Sequence, residues 1–265
     1  MQTNTYEGLH IIKKKQSITT DELVIEAPLQ ININTKPYTV VTRTPGNDQD
    51  LVLGLLYAED IYKKTLPIPF KVIEEKFNIP SIINVTITPS VLGKGYLNKR
   101  TLLSVSSCGI CGKQQLEDIK VSGYKIEKKV NFSSENLLKM FAPLQKEQET
   151  FKKTGGSHAA GIFNNQFKLL ASREDIGRHN AVDKCIGSLL QKQLLKSGVY
   201  LLVSGRVSYE IVSKAFLAKI PVIVAVSACS SMAVDFAKEF GICLIGFTRE
   251  DKMTIYANPS FLEKK

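Results

Sequence analysis

Tryptophan is absent, and the 265 residues contain five cysteines, an odd number of which only two lie close together. A disulfide scaffold needs dense, even-numbered cysteines in a short secreted chain, so that class is excluded and at least one thiol is free. No apolar run approaches the roughly 20 residues that a membrane-spanning helix requires. Met1 to Lys15 lacks the apolar stretch of a secretory signal, which points to a cytoplasmic protein. Internal repeats and low-complexity tracts are also missing. No strand runs into Gly-x-Gly-x-x-Gly and no Walker sequence occurs, which removes a nicotinamide site and a P-loop. With 43 % hydrophobic and 23 % charged residues, the chain is neither disordered nor fibrous.

Charge is in modest surplus. The net +10 is spread evenly, with 21 cations against 16 anions in residues 1–153 and 14 against 9 in residues 154–265. Lys13-Lys14-Lys15 is the only basic triplet and reads as a solvated surface. Such a diffuse field steers anions in general without choosing among phosphorylated cofactor, acidic protein and nucleic acid.

The first 130 residues read as mostly extended. Leu29 to Asn34 and Tyr38 to Arg43 form a predicted hairpin around Thr35-Lys36-Pro37. Asn47 or Asp48 caps a predicted helix carrying Leu51, Val52, Leu55 and Ala58 on one face, and Ser81 to Thr88 is a β-branched strand. Glycines and serines in Ser106-Ser107-Cys108-Gly109-Ile110-Cys111-Gly112 deny that segment regular structure, so it reads as a mobile loop. A helical stretch from Ser134, broken near Pro143, leads to Thr154-Gly155-Gly156-Ser157, the expected domain junction. The organisation is then a strand-rich N-terminal domain over 1–130, a helical connection over 131–153 and an α/β domain over 154–265.

The last third is the most regular. A hairpin turns at Asn164-Asn165, and Asn180 is the expected cap of a helix with Ala181, Val182, Cys185, Ile186, Leu189 and Leu190 on one stripe. Apolar strands follow at Val199–Val203, Val222–Val226 and Ile242–Ile245, separated by helices over Ser208–Lys219 and Ser230–Phe240, the second closed by Gly241. Strand-helix alternation with continuously apolar strands predicts a parallel sheet covered on both faces.

Ligands of such sheets bind beyond the carboxyl ends of the strands. The loops there are Ser204-Gly205-Arg206, Ser227-Ala228-Cys229-Ser230-Ser231 and Gly246-Phe247-Thr248-Arg249. Two cations, several hydroxyls and a helix N-terminus suit a phosphate or pyrophosphate, and Phe247 suits a purine or pterin ring. The polar run Arg173 to Asn180 has two readings: Glu174, Asp175, Arg178 and His179 either form a buried network or line the pocket. His158 is equally open. The Cys108–Cys111 pair has three: half of a zinc site, a redox dithiol, or a sulfur carrier whose thiolate holds a persulfide beside Lys113. Spacing alone does not separate redox chemistry from sulfur transfer.

These segments, in this order, resemble the formate dehydrogenase accessory sulfurtransferase family (FdhD). The resemblance is carried by Glu26-Ala27-Pro28 with Arg43-Thr44-Pro45, the Cys108 to Gly112 loop, Thr154 to Ala160, Arg173 to Lys184, Ser204-Gly205-Arg206, Ser227-Ala228 and Gly246-Phe247. It implies an α/β fold whose C-terminal domain is cytidine-deaminase-like and three-layered. It also implies a homodimeric sulfurtransferase that takes persulfide sulfur from a cysteine desulfurase and passes it to the molybdenum cofactor, as bis-molybdopterin guanine dinucleotide, for formate dehydrogenase. Cys108 would be the carrier and Cys111 an assisting thiol. Phe247, Thr248, Arg249, Glu250, Asp251 and Lys252 would bind the cofactor, with no dedicated metal site, no nucleic acid and no membrane. Deamination is excluded: His158-Ala159-Ala160 lacks the glutamate of His-x-Glu, and Cys229 offers one cysteine where two are needed. Cys229 stands where the family pattern has proline, and a neutral substitution is expected. The alternative activity is that of a dithiol redox protein using Cys108 and Cys111, and a zinc-dependent or nucleic-acid-binding module is the third class.

Overall fold

A computed structural model describes residues 2–64, 67–96, 124–127 and 130–263. The loop predicted around Cys108 and Cys111 lies outside the described residues.

The chain opens with a two-stranded antiparallel ribbon, β1 (Thr3–Ile12) and β2 (Lys15–Val24), which the sequence reading did not separate from its surroundings. Lys13 and Lys14 make its turn with left-handed φ of 45° and 69°, so the basic triplet is the solvated tip expected of it. The predicted hairpin is β3 (Ala27–Ile33) and β4 (Lys36–Arg43), but it turns at Asn34-Thr35, with Lys36 and Pro37 already in β4. There φ is 50° and 68°, the pair of positive values that a two-residue hairpin turn demands. Helix α1 (Asp48–Ala58) follows, then β5 (Phe70–Lys76) and β6 (Ile79–Val85). The four strands order as β4-β3-β6-β5. Leu29, Ile31, Ile33, Ile83 and Val85 from the sheet close on Leu51, Val52, Leu55 and Leu56 of α1.

Three short helices come next, α2 (Ser134–Lys139), α3 (Phe141–Lys146) and α4 (Glu149–Thr154). The helical run breaks at Met140 and again at Glu147-Gln148, not at Pro143. Pro143 is the third residue of α3, where an N–H has no intrahelical partner to lose. Gly155, with φ of 64°, caps α4 and turns the chain into the larger sheet.

That sheet comprises β7 (His158–Phe163), β8 (Leu169–Asp175), β9 (Tyr200–Val203), β10 (Val222–Ala225), β11 (Cys243–Arg249) and β12 (Lys252–Ala257), ordered β12-β11-β10-β9-β7-β8. Helices α5 (Arg178–Gln191), α6 (Tyr209–Leu217) and α7 (Ser231–Phe240) connect its strands. The three strands expected to be parallel, β9, β10 and β11, are parallel, and β7 and β12 run against them, so the six-stranded sheet is mixed. The physical reason is connection length, because the tight turns at Asn164 and at Glu250-Asp251 can join only antiparallel strands. Leu201, Val203, Ile223 and Leu244 pack under α5, α6 and α7. Tyr200, Leu202, Val222, Val224 and Ile245 point the other way, onto Leu137 of α2, Leu144 of α3 and Met140 between them. The result is a mixed α/β fold with a three-layered C-terminal part and a smaller strand-rich N-terminal sheet.

Helices α1 and α5 join the two sheets at very close range. A Cβ on Gly54 would lie 1.9 Å from the Asp183 carbonyl oxygen, and one on Gly187 would lie 1.8 Å from that of Asp50. Only hydrogen fits at either place. Gly54→Ala is therefore expected to force the helices apart and cost about 3 kcal/mol, read as a lower midpoint in chemical denaturation; a midpoint equal to the wild type would contradict this packing.

Candidate functional site

Strand β8 is antiparallel to β7, and β7 to β9, so β8, β9, β10 and β11 all end on one rim. Helices α5, α6 and α7 begin there. Three helix N-termini thus direct partial positive charge at one edge, to which Arg178, Arg206, Arg249 and Lys252 add full charges.

Backbone hydrogen bonds tie the three rim loops together. Val207 N–H donates to the Ala228 carbonyl at 2.9 Å, Ser230 N–H to that of Val207 at 2.9 Å, and Phe247 N–H to that of Ser227 at 3.1 Å. The predicted segments are accordingly one continuous surface. Ser230 itself is an ordinary cap of α7, its side chain accepting from Ala233 N–H at 3.2 Å.

Beyond Gly246 the strand bulges. Phe247 takes φ of 50°, a left-handed conformation unfavourable for a bulky side chain, and the residue is 47 % exposed. Arg249, Glu250, Asp251 and Lys252 form the exposed β11–β12 turn. Thr248 departs from the expected set: it is 1 % exposed and turned inward, its hydroxyl without a hydrogen-bond partner among the described residues.

His158, at the start of β7, meets the rim beside Gly205. A Cβ on Gly205 would come within 3.2 Å of both His158 Nδ1 and Arg178 Cδ, so the glycine makes room for both side chains. Ser204 Oγ accepts from Ala159 N–H at 3.0 Å and lies 3.4 Å from His158 Nδ1. The hydroxyl can accept a second time or donate, so the direction of its contact with Nδ1 follows the ring's tautomer. Burial holds His158 below the ordinary imidazole range, and the charges of Arg178 and Arg206 push the same way against the opposing pull of Asp175. Sequence reasoning left His158 and Arg178 undecided. Their proximity arises because two antiparallel strands and a helix start converge, which no local pattern records.

The rest of the polar run is structural. Asn180 does not cap α5, which starts from Gly177; its side-chain amide donates instead to the Thr42 carbonyl at 2.8 Å and to Asp175 Oδ1 at 2.9 Å. Glu174 accepts from Thr150 N–H, Phe151 N–H and Ser157 Oγ at 2.8, 2.8 and 2.7 Å. Asp175 pairs with Lys184 at 2.7 Å, both side chains fully buried. His179 lies against Ser208 Oγ at 3.2 Å.

Three of the five cysteines fall among the described residues, and none is poised to react. Burial pushes Cys185 and Cys243 up to about 12 and Cys229 up to about 11. Each is a neutral thiol near pH 7, not the thiolate that attacks sulfur. Among the described residues no group of three or more His, Cys, Asp or Glu is placed to hold a metal ion. No described helix is long and apolar enough to cross a membrane.

Fold and rim together define an α/β protein with a rim of strand ends and helix starts that carries Arg178, Arg206, Arg249 and Lys252. The model of the FdhD/NarQ family matches residues 24–263, and the chain belongs to that family. It is 39 % identical over 250 residues to the sulfur carrier protein FdhD of Streptomyces avermitilis, covering 91 % of this chain and 89 % of the relative. It is 40 % identical over 253 residues to the protein of that name from Mycobacterium tuberculosis, covering 91 % and 92 %. The Sulfolobus acidocaldarius protein of that name is 39 % identical over 245 residues, with 92 % of each chain covered. The fold is shared with a crystal structure of a candidate formate dehydrogenase accessory protein from Desulfotalea psychrophila. The TM-score is 0.77 at 19 % identity, over 99 % of this chain and all of that one.

Proposed function

We propose that the protein takes persulfide sulfur from a cysteine desulfurase and hands it to the molybdenum cofactor, as bis-molybdopterin guanine dinucleotide, before that cofactor enters formate dehydrogenase. Cys108 is the carrier. Its thiolate attacks the terminal sulfur of the donor persulfide, the donor S–S bond breaks, and the donor leaves as thiolate while a persulfide remains on Cys108. Cys111 assists, and the carrier works as a homodimer. The observation that carries this reading is the rim, where Arg178, Arg206, Arg249, Lys252 and three helix starts suit the phosphates of a guanine dinucleotide and the exposed Phe247 suits a ring. The neutral state of Cys185, Cys229 and Cys243 supports it by leaving the Cys108–Cys111 pair to the sulfur chemistry. Incubation with a cysteine desulfurase and cysteine, followed by intact-mass analysis, is expected to show one added sulfur atom per chain. No gain, or only the loss of two hydrogens to a reversible Cys108–Cys111 disulfide, would refute the carrier role.

His158 makes cofactor binding pH-dependent. Burial is the main cause of the low imidazole pKa and the charges of Arg178 and Arg206 add to it; a phosphate drawn to those two arginines offsets their share, so the pKa is higher in the complex than in the free protein. Binding then takes up a proton, and affinity falls as pH rises from the depressed free-state value through the histidine range around 6.5. With GDP as probe, the dissociation constant is expected to rise by up to about tenfold per pH unit in that window, and His158→Gln should flatten the profile. An unchanged slope in His158→Gln would show that another group carries the proton.

A further inference from the structure

The chemistry proposed above does not call on the ribbon of β1 and β2, most of which precedes the stretch matched by the family model. Among the described residues its hydrogen-bonded anchors lie at its base. Gln2 Nε2 donates to the Pro45 carbonyl at 3.2 Å, Thr150 Oγ1 donates to Gln2 Oε1 at 2.7 Å, and Val24 lies over Gly156. From there ten residues per strand span about 30 Å, with exposed side chains on both faces. A lone two-stranded ribbon is marginal in water, so this one has reason to be covered.

Its residues are sorted along its length. The register pairs Thr5 with Glu22, Glu7 with Thr20, Leu9 with Ile18 and Ile11 with Gln16, and alternate pairs share a face. That face is acidic near the base (Glu7, Glu22) and aliphatic in the middle (Leu9, Ile11, Ile18), and it runs out into the basic turn of Lys13 and Lys14 at the tip. The three aliphatic side chains are 57 %, 59 % and 64 % exposed. An order of acid, apolar, base is complementary to itself when reversed. Two such faces laid antiparallel about a two-fold axis bury Leu9, Ile11 and Ile18 of each copy together and set each lysine tip beside the other copy's Glu7.

We propose that the occupant of this face is the same face of a second copy, so that the N-terminal ribbon is the dimer contact. This rests on the homodimer in the functional reading above and names its surface. The contact is isologous and closes at two copies.

The test is sedimentation velocity on the full chain. One variant carries Glu7→Lys with Glu22→Lys, so that this face is basic at both ends; another carries Lys13→Glu with Lys14→Glu, so that it is acidic at both ends. All four positions are exposed, and circular dichroism checks the fold. The wild type is expected to dimerise, and each variant alone to weaken the dimer by roughly thirtyfold or more through like-charge contact. An equimolar mixture of the two should restore dimers, because base meets acid at both ends. Variants that dimerise as the wild type does, or a mixture that stays monomeric, would overturn the ribbon contact and leave the dimer reading standing. A wild type monomeric at all concentrations would overturn both.

Discussion

Cys108→Ala is expected to abolish sulfur delivery while leaving thermal stability and GDP affinity at wild-type values. Transfer requires a thiolate that accepts sulfur and releases it again. None of the three described cysteines can substitute, because burial keeps Cys185 and Cys243 near 12 and Cys229 near 11, leaving almost no thiolate at neutral pH. Activity should therefore fall to background, not to an intermediate level. Cys111→Ala is the informative companion. An assisting thiol predicts that this variant still gains one sulfur atom from the desulfurase but passes it on more slowly. A dithiol mechanism predicts equal loss in both variants and a reversible disulfide in the wild type. Loss of GDP binding in Cys108→Ala would count against a cysteine that acts only as carrier. The measurements are intact mass, nucleotide titration and sulfur transfer to the cofactor, taken on the same preparations.

The alternation from β9 to β11 was legible because each of those strands is apolar on both faces and each intervening helix shows a single stripe. Continuous burial leaves an uninterrupted hydrophobic run, and Gly241, at φ 75°, closes α7 where the sequence placed it. The turn at Asn164 was legible for a similar local reason, since it carries its chemistry in the turn itself; the β3–β4 turn was placed one residue late, at Thr35-Lys36-Pro37, because proline suggested a break that β4 accommodates at its second residue. What the sequence hid depends on distance. Asn180 has the composition of a helix cap, yet its partners are Thr42 and Asp175, and the polar side chain is drawn away from the role local preference assigns it. The β1–β2 ribbon was missed because its apolar residues do not alternate over enough length to mark one buried face; both faces are open. Gly54 and Gly187 carry no signal at all, because what they must avoid is the backbone of another helix. The rim loops were found as separate segments. Their connection through Val207, Ala228 and Ser227 is made by backbone groups, which every residue has and no residue type announces.

Lys184→Met should cost about 3–5 kcal/mol of folding free energy, against the 5–15 kcal/mol typical of a folded domain. Methionine fills much of the space that the lysine stem leaves, so the loss is electrostatic. Asp175 would remain fully buried with its charge uncompensated, still holding Thr44 N–H at 3.1 Å and Gly177 N–H at 2.8 Å. The ammonium also donates to the Thr44 carbonyl at 2.8 Å, which would be stranded in turn. Chemical denaturation gives the loss directly, and a decrease below about 1 kcal/mol would place the pair in the class of exposed ion pairs instead. The double variant Lys184→Met with Asp175→Asn should recover part of the loss, because the neutral amide still offers an oxygen acceptor without the buried charge. The consequence for function follows from position. Asp175 ends β8 and its carboxylate holds the Gly177 N–H from which α5 starts, so this corner aims Arg178 at Gly205 and His158. A loosened corner should therefore weaken GDP binding as well as stability, and the double variant should regain both together. Recovery of stability without recovery of affinity would separate the corner from the rim and assign the Arg178 geometry to other contacts.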